Sequence, residues 1–433
     1  SVLNLVIDHL QERAKECAPM ILQMIPQLWR ESEGQGLLRI QILLALQRLV
    51  HALGNDTPMT YPVVLPVLQF VIDADNPDPV NALEDVVCLW IVVLRHAPGP
   101  ADGLCGPLRG LLRIMRDSTE QIFTGTRCIT SSVLLYGDAL LETHGRDINA
   151  VLGGYVGNVK DKALTDIVHC LDAIVQACPR QGLGFLADTI VAIVLDVLDP
   201  ERGNQVIAPF LSLVVSRLAI RSPDELLRLF DYACTTRGPD VAAAVERHER
   251  AVTRATTTTT TTTMTTTTTT AVSNGTMGGT IDGTRLFSCL LDVWLDKFDS
   301  IASKGRRKLA ALGLSAVLKL NVPCVAPRFG EIITHIAAVW VEVEQGPDAD
   351  TLALSFPIAG TGPRDDFIPV SVDLEEAEGE TARRQAIFAE SPVVALGIKE
   401  HFQQCMHQAT LMHAAVETLD VSTRKMLDDL MSA

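Results

Sequence analysis

The sequence predicts an all-α fold: a HEAT- or armadillo-like helical-repeat solenoid, in which antiparallel helix pairs stack into a right-handed superhelix. Apolar residues recur at helical spacing along most of the 433 residues. Turn-forming residues divide these apolar stretches into pairs of predicted helices. The pairs recur about every 40 residues, which is typical of HEAT repeats. Apolar residues make up 47% of the chain and aromatic residues only 5%. This balance suits helices that pack through Leu, Ile, Val and Ala.

The clearest unit runs from Tyr61 to Pro98. Its first half predicts a helix at Tyr61–Asp73, whose apolar face is formed by Val64, Leu65, Leu68, Val71 and Ile72. The Asp- and Pro-rich segment Asp73–Pro79 predicts a turn, with Asp78 as the N-cap of the next helix. That second helix carries another apolar stripe, and we expect Trp90 in its middle to be buried.

The other elements follow from the same pattern. The helices predicted before residue 54 are Val2–Glu16, Ala18–Trp29 and Leu37–Leu53. Helix pairs are expected to begin near residues 18, 61, 101, 146, 182 and 222, with spacings of 36 to 45 residues. We interpret residues 1–250 as one HEAT-like repeat array.

A threonine tract interrupts the array. Residues 256–270 are all threonine except Met264. A polar, β-branched tract has little apolar surface to bury, so we predict a Thr-rich disordered insertion at residues 251–283. The alternative is a phosphorylation or glycosylation platform. HEAT-like repeats are expected to resume at residues 284–345, including a helix at Phe329–Val343, and terminal helices are expected at residues 391–433.

An acidic segment precedes the terminal helices. Residues 346–390 are predicted to form an acidic loop, because Asp and Glu far outnumber Lys and Arg there. The candidate partner-binding residues are Asp373, Glu375, Glu376, Glu378 and Glu380. The alternative is that these charges only keep an apolar-rich array soluble.

The sequence offers no convincing catalytic, cofactor or metal site, and we do not expect an enzyme. The histidine–cysteine groups we considered are His169 with Cys170, and His401, Cys405, His407 and His413. They lack a third ligand at a suitable spacing, so we interpret them as surface histidines and packed cysteines. The basic cluster Arg306–Lys308 is interpreted as a solvated face.

Net charge, cysteine usage and hydropathy indicate which kinds of partner and environment to expect. The net charge of −16 argues against direct nucleic-acid binding. The ten cysteines are scattered, which suggests reduced thiols in an intracellular protein. No uninterrupted apolar run approaches the roughly 18 residues of a membrane helix, so no membrane insertion is expected.

Several segments resemble one family. They are Ile21–Ser32, Val50–Gly54, Tyr61–Gln69, Leu83–Asp85 with Leu89 and Trp90, Leu291–Asp299, Arg306–Leu312 and Ser391–Val394. Together they resemble the importin-β (karyopherin) superfamily of nuclear transport receptors, and in particular the C-terminal half of its importin-eleven branch. The resemblance covers most of the chain and is strongest at residues 18–97 and 284–320.

The resemblance implies a function and partners. It implies a receptor that binds protein cargo, expected to be basic, and carries it through nuclear pores under the control of Ran-GTP. It also implies nucleoporin repeats as partners, and a location in nucleus, cytoplasm and nuclear pore. In that family the principal Ran-GTP contacts lie in N-terminal repeats, which nothing here matches, and the chain begins inside an apolar pattern. We therefore interpret it as a fragment. The alternative is a HEAT-repeat interaction scaffold, of the phosphatase or chromosome-complex type, without a transport role.

Overall fold

The structure is a computed structural model that describes residues 2–10, 13–73, 82–202, 204–262, 282–345 and 377–432. Throughout these ranges the regular elements are α-helices and short 3-10 helices, and no strand occurs. The predicted all-α, HEAT-type helical-repeat fold is confirmed.

Helix pairs occupy the N-terminal part of the chain. Its helices are α1 (Val2–Leu10), α2 (Ala14–Glu31), α3 (Gly36–Leu53), α4 (Tyr61–Ile72), α5 (Leu83–His96), α6 (Leu108–Asp117), α7 (Ile122–Tyr136), α8 (Asp138–Tyr155) and α9 (Asp161–Ala177). α2, α4, α6 and α8 are the first helices of successive pairs, and each contacts the next. α3 packs on α5, and α5 packs on α7. We call α3, α5, α7 and α9 the second helices of these pairs.

Further helices follow up to residue 344. They are α10 (Gly182–Leu198), α11 (Ala208–Arg221), α12 (Pro223–Thr236), α13 (Gly238–Thr262), α14 (Gly283–Asp296), α15 (Lys304–Leu318) and α16 (Phe329–Glu344). α11 packs on α15, α12 packs on α14, and α15 packs on α16. The observed bounds of α16 match the predicted helix Phe329–Val343 to within one residue.

The last helices are short. They are α17 (Glu378–Ala389), α18 (Pro392–Ala395), α19 (Ile398–Gln408), α20 (Met412–Val416) and α21 (Val421–Met431). The apolar spacing predicts one continuous helix at Val393–His413, but the structure divides this stretch among α18, α19 and α20. One break lies at Gly397, whose backbone is extended. There Glu344 accepts a hydrogen bond from the Ile398 amide at 2.7 Å, so a side chain of α16 caps the N-terminus of α19.

The chain divides into two compact units. The first comprises residues 1–155, 162–186 and 356–391, and the second comprises residues 156–161, 187–355 and 392–433, with the described ranges as given above. α17 thus belongs to the first unit, although the helices on either side of it in the sequence belong to the second.

The Tyr61–Pro98 unit forms the expected helix pair. Trp90 is fully buried, as predicted, and its indole N–H donates to the Leu104 carbonyl at 2.9 Å. The predicted N-cap is wrong, because α5 begins at Leu83 with Ala82 in the N-cap position. Asp78 lies outside the described residues.

The repeat spacing is less even than predicted. Successive first helices begin 47 residues apart at the widest, from Ala14 to Tyr61, and 30 apart at the narrowest, from Leu108 to Asp138. The expected start near residue 146 is wrong because α8 begins at Asp138. Gly137 ends α7 with φ 58°, a conformation that glycine adopts without strain, and α8 begins at the next residue.

Glycines allow close helix packing in each unit. A Cβ atom on Gly110 of α6 would lie 2.6 Å from the Ile72 carbonyl oxygen of α4. A Cβ atom on Gly313 of α15 would lie 2.7 Å from the Cα of Ser216 on α11. Both distances are shorter than any real carbon contact, so these two helix pairs depend on the missing side chain.

Helical structure extends into both segments that we expected to be irregular. α13 continues to Thr262, inside the threonine tract, because adding a threonine to an existing helix costs only a few tenths of a kcal/mol. The predicted disordered insertion is therefore wrong at residues 251–262, which belong to α13, and at residues 282–283, the N-cap and first residue of α14; residues 263–281 lie outside the described residues. In the predicted acidic loop, residues 378–389 form α17, so that part of the expectation is wrong.

One helical stretch of the described residues, Gly36–Ile72, is long and apolar enough to cross a membrane by length and composition alone. It comprises α3, the 3-10 helix Gly54–Thr60 and α4. Of its most apolar segment of 18 residues, 44% is buried inside the protein. Core helices of soluble proteins have the same length and composition, so the stretch is weak evidence for a span. The 3-10 helix Gly54–Thr60 interrupts the apolar pattern between α3 and α4, so the stretch holds no uninterrupted apolar run of that length.

Candidate interaction site on the second helices of the first unit

α17 lies across the second helices of the first unit. It contacts α5, α7 and the 3-10 helix Gly54–Thr60. At its start, the Glu378 carboxylate accepts a hydrogen bond from the side-chain amide of Asn55 at 3.2 Å. Near its end, Ile387 packs against the apolar pair Leu134 and Ala173 on α7 and α9. One short helix therefore touches several successive repeats, whereas repeat arrays usually rely on nearest-neighbour contacts.

A buried ion cluster holds the middle of α17. The carboxylate of Glu380 is only 2% exposed. It accepts hydrogen bonds from Arg384 Nε at 2.8 Å and from the Ser131 hydroxyl at 3.1 Å, and it lies 3.4 Å from Arg95 Nε. Two guanidinium groups thus share one carboxylate between α17, α5 and α7.

The protonation state of Glu380 follows from these contacts. Burial by itself would raise the pKa of this carboxyl group, because a charged group loses hydration in the interior. The guanidinium groups of Arg384 and Arg95, with hydrogen bonds from Arg384 and Ser131, outweigh the burial effect and hold the pKa below its ordinary value. Glu380 is therefore ionised at neutral pH.

Arg383 caps the end of α5. Its Nη1 donates to the Ala97 carbonyl at 2.7 Å, and its Nη2 donates to the carbonyls of Leu94 and Arg95 at 2.9 and 3.2 Å. The last carbonyls of a helix lack intrahelical partners and carry the negative end of the helix dipole. A guanidinium group satisfies both needs at once.

The backbone of α17 also approaches α5 closely. A Cβ atom on Gly379 would lie 3.0 Å from the Ala97 carbonyl oxygen and 3.1 Å from that of Arg95. A methyl group at this position would already be tighter than an ordinary contact, and a larger side chain would push the two helices apart. We define the α17 seat as Asn55, Leu94–Ala97, Ser131, Leu134 and Ala173.

A histidine pair lies at the edge of the seat. His96, the last residue of α5, is 2.9 Å from His51 between ring nitrogens. Burial lowers the pKa of His96 to about 4, with His51 and Arg95 acting in the same direction and Glu380 opposing them. His96 is therefore neutral at physiological pH.

The predicted partner-binding residues do not share one environment. Asp373, Glu375 and Glu376 lie outside the described residues. Glu378 is exposed, but Glu380 is buried and ion-paired, which corrects the expectation that it belongs to a flexible acidic loop. The sequence reasoning also missed Arg95, Ser131, Arg383 and Arg384. The i,i+4 spacing of Glu380 and Arg384 was the available signal.

The basic cluster of α15 is more than a solvated face. Arg307 pairs with Glu342 at 3.0 Å, and Lys308 pairs with Glu344 at 3.4 Å, so both tie α15 to α16. The Arg306 guanidinium lies 5.6 Å from the ring centre of Phe210. These contacts correct the interpretation from sequence.

The histidine and cysteine groups behave as packing residues. In the part of the chain that the structure describes, no group of three or more His, Cys, Asp and Glu side chains could hold a metal ion. Cys405 is buried as expected, but so is His401, which we expected on the surface; their side chains approach to 3.5 Å. All ten cysteines are free, and burial raises the pKa of Cys170 and Cys289 to about 12.

Stacked helix pairs, unevenly spaced and crossed by an additional helix, define a helical-repeat protein of the HEAT type. The family model described as "Importin-11-like, TPR repeats" matches residues 40–418, and the chain belongs to this family.

Curated relatives and a solved structure are also similar to this chain. The chain is 21% identical to importin-11 of Mus musculus over 81% of this chain and 32% of that protein. It is 21% identical to the importin beta-like protein kap113 of Schizosaccharomyces pombe over 93% of this chain and 36% of that protein. The structure of Lph2, described as a bidirectional nuclear transport receptor of S. cerevisiae, has a similar fold, with a TM-score of 0.70 and 16% identity over 96% of this chain and 41% of that one. The chain thus spans about a third of the length of the curated relatives it matches.

Proposed function

We propose that this chain is the cargo-binding part of a nuclear transport receptor that moves between nucleus and cytoplasm under the control of Ran-GTP. The observation that carries the proposal is the family match over residues 40–418, which covers both units of stacked helix pairs. The names of the relatives and of the similar structure all refer to importins or nuclear transport. No such observation favours a phosphatase or chromosome-complex scaffold.

The second helices of the first unit are the surface that we propose for cargo. Beyond α17, α7 and α9 present Phe123 with Arg127 at 4.3 Å and Lys162 at 5.5 Å from its ring centre. Glu84 is exposed on α5. A surface with aromatic and charged groups of both signs suits a protein segment better than a small apolar ligand.

We propose that the acidic run ending at the first residue of α17 steers basic cargo toward this surface. The residues concerned are Asp373, Glu375, Glu376 and Glu378. Glu380 is left out because Arg95 and Arg384 already neutralise it. Steering of this kind acts on the association rate and weakens with salt, because the Debye length is about 8 Å at physiological ionic strength.

We place the principal Ran-GTP contacts, by family resemblance, in N-terminal repeats of the full receptor. Nucleoporin repeats and a location at the nuclear pore belong to the same proposal.

The test uses the full-length parent and Ran loaded with GTP or GDP. Slower GTP hydrolysis in the presence of the activating protein of Ran is the readout, because a receptor bound over the nucleotide would limit access to it. We expect protection by the parent with Ran-GTP and no binding to Ran-GDP. If the parent neither protects Ran-GTP nor accumulates in nuclei of permeabilised cells, the transport proposal is wrong and the scaffold alternative gains support.

A second experiment tests the acidic run. Asp373, Glu375, Glu376 and Glu378 are changed together to the corresponding amides, and association with a lysine-rich reporter peptide is followed by stopped flow across a salt series. We expect slower association at low salt and a flatter salt dependence than in the unchanged chain. The matched control replaces four exposed acids elsewhere: Asp224, Glu225, Asp240 and Glu246. Equal rates for both variants at every salt concentration would remove the steering role.

A further inference from the structure

The α17 seat is assembled without α17. Its parts come from α5, α7, α9 and the 3-10 helix Gly54–Thr60, which are all close together in the sequence and far from residue 378. The three carbonyls at the end of α5, Arg95 and Ser131 belong to α5 and α7, which pack on each other, and α5 also packs on α3. The backbone of the seat is therefore held in place by contacts that do not involve α17, which lowers the cost of ordering it for an occupant.

α17, the helix that occupies the seat, is less deeply buried than the helices that form the seat. Glu380 is the only residue of α17 that is fully buried. The contacts that hold the helix are mainly ionic and polar, and for a buried ion pair the cost of removing water offsets most of the attraction. Ile387 adds an apolar contact that is only partly buried. An interface of this composition is specific but not strong.

The contacts define a pattern that a helix must carry to fit. Glu380 binds Arg95 and Ser131, Arg383 caps α5, and Ile387 meets Leu134. Arg384, on the same helix, forms the second ion pair with the Glu380 carboxylate. The residues of this set fall on one helical face, at spacings of 0, 3, 4 and 7. The ligand chemistry is a carboxylate, two guanidinium groups and one aliphatic side chain, in that order.

We propose that the α17 seat is a helix-binding site, that α17 occupies it as an internal ligand, and that a partner protein binds there through an amphipathic helix with the order Glu-x-x-Arg-Arg-x-x-aliphatic. A partner helix that lacks the carboxylate would leave Arg95 without a counter-charge, so the seat discriminates between helices. Tethering raises the effective concentration of α17 to the millimolar range, and a partner must compete against it. The proposal does not depend on a transport role.

The test places the same substitution once in the α17 of the chain and once in a peptide that competes with α17. A fluorescent peptide of residues 377–391 is titrated with the full chain and followed by anisotropy. Arg383→Ala in the chain loosens α17 but leaves the seat intact, so we expect the peptide to bind about tenfold tighter or more than it binds the unchanged chain. The same Arg383→Ala in the peptide removes the cap on α5, and we expect binding to be lost.

Matched controls separate loosening from general damage. Arg424→Ala removes another arginine that caps a helix, since Arg424 donates to the Val416 carbonyl at the end of α20, and it should leave peptide binding unchanged. Gly379→Leu loosens α17 sterically, without touching any charge, and should increase peptide binding as Arg383→Ala does. Its control is Gly184→Leu, since a Cβ atom at Gly184 would meet no atom within 4 Å.

Amide hydrogen exchange on the same variants reports whether α17 has left the seat. We expect residues 378–389 to exchange faster than α5 in the unchanged chain, and faster still in both loosened variants. Two results would overturn the proposal. In the first, α17 exchanges as slowly as α5 in every variant and is a fixed part of the fold. In the second, α17 is released but the peptide binds the loosened chains no better than the unchanged chain.

Discussion

The carboxylate of Glu380 and the guanidinium of Arg95 lie 3.4 Å apart, on helices that are separated by most of the chain. Neither residue is exposed to any large extent, since the Arg95 side chain is 14% exposed and the Glu380 side chain 2%. A pair of this kind contributes little net stability when complete, but removing one member leaves a buried charge without a partner. The relationship therefore makes α17 sensitive to substitutions on either side.

Glu380→Gln should destabilise the docked position of α17 by roughly 3–5 kcal/mol, the usual cost of leaving buried charge uncompensated. Arg95 and Arg384 would both remain, facing a neutral amide. Urea unfolding and hydrogen exchange of residues 378–389 measure the effect. Glu378→Gln is the control, because Glu378 is exposed and surface changes usually stay within about 0.5 kcal/mol. Equal effects of the two substitutions would contradict the ion cluster.

Stability should fall as the pH is lowered from about 6.5 toward 4, in part through His401. Burial, with Lys319 acting in the same direction, lowers the pKa of His401 in the folded chain to about 4. Because the unfolded chain binds the proton more readily in this interval, acid favours unfolding; the contribution is complete above the ordinary histidine pKa and is lost as the pH approaches 4. His401→Gln should flatten the dependence, measured as urea midpoints at pH 7.5 and 5.

The matched control for His401→Gln is His413→Gln, since His413 is exposed on the neighbouring helix α20. It should leave the pH dependence as it is in the unchanged chain. A pH dependence equally steep in the His401 variant would show that other groups cause it.

Trp90→Ala should cost roughly 3–5 kcal/mol, as expected for a large side chain removed from a core. Trp90 is fully buried and also donates to the Leu104 carbonyl. Trp90→Phe keeps most of the apolar volume but leaves that carbonyl without its donor, so it should cost less, about 1–3 kcal/mol. Chemical denaturation measures both. A loss below about 1 kcal/mol for the alanine variant would be inconsistent with the observed burial.

Gly313→Ala should destabilise the second unit although alanine is the better helix former. The intrinsic gain is at most about 1 kcal/mol, whereas forcing a methyl group against Ser216 of α11 costs about 1–3 kcal/mol. Gly154→Ala is the control, because a Cβ atom there meets nothing within 4 Å and the intrinsic preference should decide. Thermal unfolding of both variants gives the signs, and a stabilised Gly313→Ala chain would contradict the close approach of α11 and α15.

Local signals predicted much of this fold because the helices are long and their apolar faces are regular. Trp90 and the helix at Phe329–Val343 were predicted from the spacing of apolar residues alone. The start of α8 was not, because Gly137 closes the turn in a single residue and the first turn of α8 contains Asp138. A turn this short leaves no loop composition to recognise.

The α17 seat could not be predicted in the same way. Glu380 belongs to a run of acids, and composition alone favours solvation for such a run. Its partners on α5 and α7 are distant in sequence, and nothing near Arg95 or Ser131 indicates which segment will pack there. Pairings between distant segments become visible only in the folded chain.

Because α17 lies late in the sequence, its seat is synthesised and can fold before α17 exists. α1 to α9 can fold as they leave the ribosome, because each helix pair packs on its neighbour. α17 emerges roughly 200 residues later, which takes about 10 to 40 s at ordinary rates of translation. Throughout that interval the carbonyls at the end of α5 and the charge of Arg95 are exposed to water and to other proteins. A nascent chain of this protein therefore carries an open binding surface before it carries the helix that closes it.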